Sequence, residues 1–585
     1  MHLTELSSTL QTALTKRLIR FGVRCILDPD GLAIDLSDYL DAEQPIQIRK
    51  SVSIMPYGEM GRFTISEVTL RLINRDDYFN PDNSASPFYY ASTRIIEAKP
   101  LAQKWVKVRK NEAAKFSVGG NVTLGSGKNR AGFNISSIDT SDPNFDIINF
   151  SSTAGTDYPA GTVLEVSYIP GKRVVLKTVI NNESEEITQF VGILKGYPKI
   201  TAQYAEITLF DPLKNLLETP VRATSVYFYN NSKTSTVKTT LDNDSTGTFD
   251  PDYVDVFSNC PIGTWEIEFT SATNYVLTDP YGTETTGHVS TNLYYPEGAP
   301  LPQLQIDADA FGGTFVAGDR ITFQTTLVLG GPFTSQQTVI AHVKQLMTNS
   351  GYGAGLPESL IDTTTLDNLD SFYDEMVGYL TVTRPESVLK VCEMLQQQIN
   401  GWLFTRNNGL ISLFIYRPKD PDATYPTLSP TADIREVDMS DLGRIEAIVA
   451  EWHYSHSDRR FLRTLYVPDE ESAGGAVVNI KLPAAYSEAV ARSAAERLWV
   501  FWRRGIRVYQ IKEKFNYGLA WELGDIFNIS SNIPSIGNKT VVIFELNKDL
   551  RNAEVTALAF DLNFAFENFL ILDVGHKLDT GKVIW

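Results

Sequence analysis

Of the six histidines in this 585-residue chain, only the stretch EWHYSHSD brings two together, His453 and His456, beside Asp458. Two imidazoles and a carboxylate could hold a zinc ion. On a strand, however, a three-residue separation sends the rings to opposite faces, so shared ligation would need a bulge or turn. They read as surface or satisfied histidines. Two carboxylates ~5 to 9 Å apart could hydrolyse a glycosidic bond, and Asp76, Asp77 and Glu451 are candidates; among 70 acidic residues a solvated face is the plainer reading. The aromatic runs FYYAS and VYFYN could stack on sugars, yet alternating aromatics more often fill sheet cores or subunit interfaces. Cys392 falls on an apolar helical stripe, where a thiol acts as a small core residue. There is no GxSxG elbow, HExxH, Walker A loop or EF-hand pattern. The expectation is a protein without catalytic residues, metal or cofactor.

Two further stretches have polar residues in an interpretable place. In WELGDIFNIS, Gly524 supplies backbone freedom for a tight turn and Asp525 accepts amide hydrogen bonds there, with Ile526, Phe527 and Ile529 continuing as a strand. In TLRLINRDDYFNPD, Leu70 and Leu72 share a strand face, and Asn74 and Asp76 are placed to bond nearby backbone amides at a β-corner. Gly192, in FVGILKGYPKI, is assigned a turn role of the same kind. All five residues read as architectural.

The elements that position them are mostly strands. At 585 residues the chain exceeds one core, and a prior of ~150 residues per domain gives about three to five units. With 26 Tyr and 30 Phe the composition leans toward β-structure. Leu3, Leu6, Leu10 and Leu14 recur at helical spacing, which predicts an amphipathic arm that needs a partner surface and ends near Gly22. Alternation from Ile46 predicts strands broken at Pro56 to Gly61. Residues 101–175 and about 225–330 turn rich in Gly, Ser, Asn and Thr between short alternating runs, the look of inserted β-domains. Helices are predicted over SQQTVIAHVKQLMTNSG, with Val339, Val343, Leu346 and Met347 on one face, and over TRPESVLKVCEMLQQQING. The second helix is read as starting with a capping box from Thr383 to Glu386, with Pro385 in the first turn, and as stopped by Gly401. WLFTRNNGLISLFIYR is a hairpin signal around Asn407, Asn408 and Gly409. A late helix, SEAVARSAAERLWVFWRRG, precedes the final strands.

Seventy Asp and Glu against 52 Lys and Arg leave a formal charge of -18, which argues against sequence-independent nucleic-acid binding. Three scattered cysteines suggest neither a disulfide framework nor a zinc site. The N-terminus lacks the order of a signal peptide, and no run approaches ~18 apolar residues, so no membrane anchor is expected.

Taken in order, these pieces resemble the tail hub proteins of long-tailed bacteriophages. The resemblance rests on TLRLINRDDYFNP, FVGILKGYPKI, AEITLFDPLKNLLETPV, TVIAHVKQLMTNSGYG with LIDTTTLDNLDSF, PESVLKVCEMLQQQINGWLFTRNNGLISLFIYRP, LAWELGDIFNIS and KTVVIFELNKDLRNAEVTALAF. It covers most of residues 46–562 apart from the two insertions. It implies a mainly β fold with α+β parts, built from two tube-like β-barrel hub domains, small α/β domains and inserted β-domains. The corresponding division is an N-terminal helical arm (1–45), a first barrel (46–100 and 176–222) interrupted by an insertion (101–175), and a second inserted β-region (223–330). An α+β domain (331–439), a second barrel with its helix (440–562) and a C-terminal arm (563–585) complete it. The resemblance further implies a homotrimer at the virion tail tip, made in the host cytoplasm, whose partners are a distal tail or tail tube protein, tail fibre or tail-tip proteins and a tape-measure protein. Genomic DNA would pass without specific binding, which an acidic wall favours. The reading kept beside it is a surface-displayed polysaccharide-binding or polysaccharide-degrading β-rich protein.

Overall fold

The computed structural model describes residues 20–562 except 31–32, 53–64, 81–85, 89–91, 101, 117, 119–120, 126–130, 154–156, 167–171, 181–185, 197, 228–234, 237–244, 297–301, 330–336, 373–379, 416–423, 429–431, 438–444, 456–459, 469–475, 486, 504–506 and 531–536. The fold is mainly β. Leu3, Leu6, Leu10, Leu14 and the 563–585 arm lie outside the described residues.

Two large antiparallel sheets share one hydrophobic core. The first is seven-stranded, in the order Lys199–Ile200, Tyr204–Phe210, Glu186–Leu194, Arg173–Ile180, Phe21–Leu27, Ile34–Asp35, with Glu67–Ile73 also paired to Tyr204–Phe210. The second is six-stranded: Asp433–Val437, Val508–Lys514, Glu554–Asp561, Asn538–Asp549 and Gln47–Ser51, with Ile526–Ser530 on Asn538–Asp549. Leu70, Leu72, Leu176 and Phe190 of the first sheet are buried in the same cluster as Ile511, Phe527, Val541 and Ala559 of the second. Each large apolar side chain contributes roughly 1.5–3 kcal/mol on burial, so the two sheets stabilise one another.

Three expected boundaries are corrected here. Residues 21–45 are not an arm: Phe21–Leu27 pairs along its length with Arg173–Ile180, from Phe21↔Ile180 to Leu27↔Val174, and buries Cys25 and Leu27. Gly22 therefore lies in a strand, where two-residue alternation overrides the preceding helical spacing. Gln47–Ser51 does not open the first barrel but pairs with Asn538–Asp549, from Gln47↔Asp549 to Ser51↔Glu545. Alternation fixes which face of a strand is buried, not which strand it joins. The second sheet takes in Asp433–Val437 and omits residues 445–502, which form their own three-stranded sheet covered by the helix Glu488–Trp502.

The first insertion is a separate barrel. It begins before the expected residue 101 and ends before 175, since Ser92–Arg94 joins its sheet and Arg173–Ile180 belongs to the first large sheet. Its six strands run Ser92–Arg94, Val163–Val166, Asn121–Leu124, Ala131–Asp139, Phe145–Phe150, Trp105–Arg109. An Ile95↔Val108 bridge and Ile96 N donating to Lys107 O at 2.9 Å close the first strand onto the last. Closure removes the free edges that would otherwise pair with other chains. Its core, including Val108, Leu124, Ile148 and Leu164, is distinct from the others.

The second insertion is continuous with the helical region after it. Its longest strand, Arg320–Leu329, pairs with Leu380–Val382, and Trp265, Phe323, Leu346 and Val391 share one core. The helix Val339–Thr348 buries Val339, Val343, Leu346 and Met347 and is capped by Thr338, whose hydroxyl accepts from Ala341 N at 3.0 Å. The next long apolar helix, Val388–Gln396, starts later than the capping box suggests. Ser387 caps it by accepting from Lys390 N, while Thr383, Pro385 and Glu386 precede the helix. Val388 N donates to Thr219 O and Ser387 bridges Pro220, which keeps this approach extended; Pro385 also disfavours helical geometry at the residue before it. The end is set by Asn400, left-handed at φ 51°, and Gly401 already begins a strand. That strand, Gly401–Thr405, pairs with Ile411–Ile415 as a hairpin turning at Asn407–Gly409.

Candidate functional site

The turn before Ile526–Ser530 is where the sheets and the hairpin meet. Gly524 has φ +81° and donates to Ile543 O at 2.8 Å, and Ile543 N returns a bond to Asp525 O at 3.0 Å. Asp525 Oδ2 accepts from Glu522 N at 2.9 Å. This aspartate closes a turn that delivers Phe527 and Ile529 to the core.

Glu522, at the start of the same turn, is buried and reaches the hairpin: its Oε1 accepts from Asn407 N at 2.6 Å. Asn407 Nδ2 donates to Trp521 O at 3.2 Å, and its Oδ1 accepts from Lys50 Nζ at 3.1 Å. Lys50 also donates to Thr405 O at 2.8 Å. Asp211 of the first sheet's exit accepts from the Thr405 hydroxyl and from Leu213 N at 2.9 Å. Lys548, wholly buried, donates to Gln189 Oε1 and to Leu519 O, both at 2.8 Å. Hairpin, first sheet and second sheet are thereby joined by charged groups inside the protein.

Burial sets the protonation of this cluster. It lowers the Lys50 amine below its ordinary range, against the pull of Glu522 and Asp211. It raises Asp211, against hydrogen bonds from Thr405 and Leu213. Lys548 is pushed down to about 7 by burial and by the nearby Lys50 charge, with Glu522 and Asp525 opposing. A lysine titrating near neutrality could serve as a general base. Here its nitrogen is spent on two interior acceptors.

Beside the junction lies a cleft of about 310 Å3, whose lining includes Glu522, Gly524, Asp525, Arg406, Phe414 and Thr365. Neither Lys50, Lys548 nor Asp211 lines it. The two carboxylates that do are engaged with backbone amides, and Arg406 Nε pairs with Asp362 at 2.8 Å. The geometry holds parts together.

The remaining sequence candidates lie elsewhere. Asn74 is buried at the β-corner, accepting from Phe79 N at 3.0 Å and donating to Thr201 O at 3.2 Å. Asp76 stands exposed at φ 53°, and its side chain makes no hydrogen bond among the described residues; Asn74 and Asp77 make the corner's bonds instead. Gly192 is not at a turn. It lies within Glu186–Leu194 opposite Val174, where a Cβ would come within 2.5 Å of the Phe190 ring. Its requirement is for space. His453 is exposed, at φ 56°, while His456 and Asp458 lie outside the described residues. No group of three His, Cys, Asp or Glu able to hold a metal occurs among the described residues. Cys392 is fully buried, and burial drives its thiol upward.

No family model matches the chain, and no curated protein does. Solved structures with similar features include the tail protein from Neisseria meningitidis, at 7% identity and TM-score 0.37, covering 93% of this chain and 97% of that one. The 43 kDa tail protein of prophage MuSo2 from Shewanella oneidensis overlaps at 8% identity and TM-score 0.36, covering 93% and 99%. A chain of the virion of a native gene transfer agent particle overlaps at 11% identity and TM-score 0.29, covering 59% and 90%. Overlaps of this size leave the fold to be read from the chain's own topology.

Proposed function

We propose that the chain is a structural tail hub of a bacteriophage virion, without catalytic activity of its own. Three copies close the distal end of the tail tube, dock distal-tail, tail-tip or fibre proteins, meet the tape-measure protein and line part of the DNA ejection conduit. The observation that carries this reading is the fused pair of large antiparallel sheets in one chain, sharing a core, joined by the Lys548 bond and tied by Lys50 to the hairpin beside them. A rigid pair is what a ring subunit needs: three such chains present six sheets to a six-fold tube, and each interface is heterologous and closes on itself. The formal charge of -18 suits a wall that must release DNA.

The test is the mass and shape of the purified full-length protein, alone and with its tube partner, by mass photometry and negative-stain imaging. Ring-shaped trimers, or rings formed on mixing, are expected. A strict monomer that never joins tail components would overturn the proposal.

A further inference from the structure

The second insertion carries a sheet face that the hub reading does not use. Val254–Val256, Leu304–Ile306 and Leu293–Tyr295 form a three-stranded sheet with Leu304–Ile306 in the middle. Val254, Leu304, Ile306, Leu293 and Tyr295 are buried on its inner side. Register aligns Asp255, Gln305 and Tyr294 in one row across the other side. Strand alternation and exposure agree: Tyr294 is 48% exposed, and Phe257, two residues beyond Asp255, is 38% exposed. Tyr253, 43% exposed, adjoins the row through its carbonyl, which accepts from Asp307 N.

We propose that this face is a binding platform for an oligosaccharide of neutral or amino sugars. Tyr294 on the sheet, with Tyr253 and Phe257 on the segments that flank Val254–Val256, gives exposed rings rimmed by polar groups, and apolar surface so rimmed marks a binding site. Aromatic rings offer flat area to the C–H faces of sugar rings at little entropic cost. Between them stand amides and carboxylates suited to hydroxyl groups, already held in place. Asp307 accepts from Asn292 Nδ2 at 2.8 Å and from the Gln305 amide, and Asn292 Oδ1 accepts from Ala308 N at 3.0 Å. Three strands at ~4.8 Å spacing set Asp255 and Tyr294 roughly 10 Å apart, the span of a short oligosaccharide. Asp255 and Asp307 put negative charge on the face, and no lysine or arginine stands in these rows. That excludes nucleic acid and acidic glycans and favours uncharged or cationic sugars. A monomer suffices for this site, so its failure would not touch the trimer and the trimer's failure would not touch it.

The test is retention of full-length protein on an array of neutral hexose, N-acetylhexosamine and uronic-acid oligosaccharides, followed by calorimetric titration with cellohexaose and chitohexaose. Retention of a neutral or amino-sugar class is expected. Tyr294→Ala should weaken the titrated affinity at least about tenfold with an unchanged melting curve. Asp255→Asn should admit uronic-acid oligomers that the parent rejects. Tyr466→Ala, on the exposed face of the sheet formed by residues 445–482, should change nothing. No retention of neutral or amino sugars, preference of the parent for acidic ones, or an affinity for Tyr294→Ala within about twofold of the parent would overturn the proposal. So would a change in oligomeric mass on Tyr294→Ala without glycan retention, which would assign the face to a protein partner.

Discussion

Lys548 Nζ donates to Gln189 Oε1 at 2.8 Å, a buried bond between residues 359 positions apart that ties the second sheet to the first. Gln189 is in place because of a β-bulge. Opposite it the register jumps between Leu176, paired with Phe190, and Lys177, paired with Thr188. The extra residue is turned into the core, as bulges re-aim side chains.

This buried lysine makes stability depend on alkaline pH. Folding pushes Lys548 from its ordinary 10.5 down to about 7. Between those values the unfolded chain holds a proton that the native chain has released, so stability rises with pH there. Below about 7 both states are protonated and the native state carries the full burial penalty. The single-group slope is at most about 1.4 kcal/mol per pH unit. Lys548→Met removes the titration and should flatten this part of the curve. Chemical denaturation of both proteins from pH 7 to 10 measures it; parallel curves would show that Lys548 titrates as an ordinary lysine.

Two glycines fit the hairpin between the sheets. At Gly409, φ +86°, a Cβ would fall 2.7 Å from Val191 Cβ of the first sheet; at Gly524, φ +81°, it would fall 2.6 Å from Phe414 Cδ2 of the hairpin. Alanine at either position combines left-handed backbone strain of about 1–2 kcal/mol with overpacking of about 1–3 kcal/mol. Gly409→Ala and Gly524→Ala should each lower stability by about 2–5 kcal/mol, read as a shift in denaturation midpoint. A loss under about 0.5 kcal/mol would mean that the hairpin is loosely seated.

Part of this junction is legible in the sequence. Ile46, Ile48, Lys50 and Val52 share one parity and are all buried, as are Leu546, Lys548 and Leu550. A lysine on the apolar side of a strand signals an interior charge that must find a partner. The turn at Gly524–Asp525 and the hairpin at Asn407–Gly409 are visible for the same kind of reason, since local turn chemistry specifies them. The partners are not. Nothing local in QIRKS says that it pairs with residues 545–549, and Gln189 is interior only because a bulge places it there. Strand choice and bulges depend on contacts between distant segments, which single-sequence patterns do not carry. Asp76 shows the converse: its position in an Asn-x-Asp turn is readable, but its side chain faces water while Asn74 makes the bonds.

Asn74 and Asp76 should therefore respond in opposite directions. Asn74→Ala leaves the buried Phe79 N–H without its acceptor, at a cost of about 1–3 kcal/mol, and releases the bond to the carbonyl of exposed Thr201. Asp76→Gly removes no hydrogen bond and relieves a side chain held at φ 53°, so stability should stay level or rise by a few tenths to about 1 kcal/mol. Denaturation midpoints of the two variants decide it. Equal losses would mean that the Asp76 carboxylate has a structural partner after all.

The first insertion should melt as its own unit. A domain unfolds cooperatively when its apolar contacts are made within itself, and among the described residues the barrel's core cluster draws on those between Ile95 and Val166. Its sheet is closed on itself by the Ile95↔Val108 bridge, so it lends no strand to the large sheets. Leu164 is fully buried there, paired across to Leu124 on one side and to Thr93 on the other. Leu164→Ala should remove about 2–5 kcal/mol from the barrel alone. Calorimetry of the full chain is then expected to show two or more transitions, with one moved down in temperature by the substitution and the others unchanged. If every transition moved together, the barrel would be energetically continuous with the paired sheets, and residues 92–166 would be a structural brace instead of an appended module.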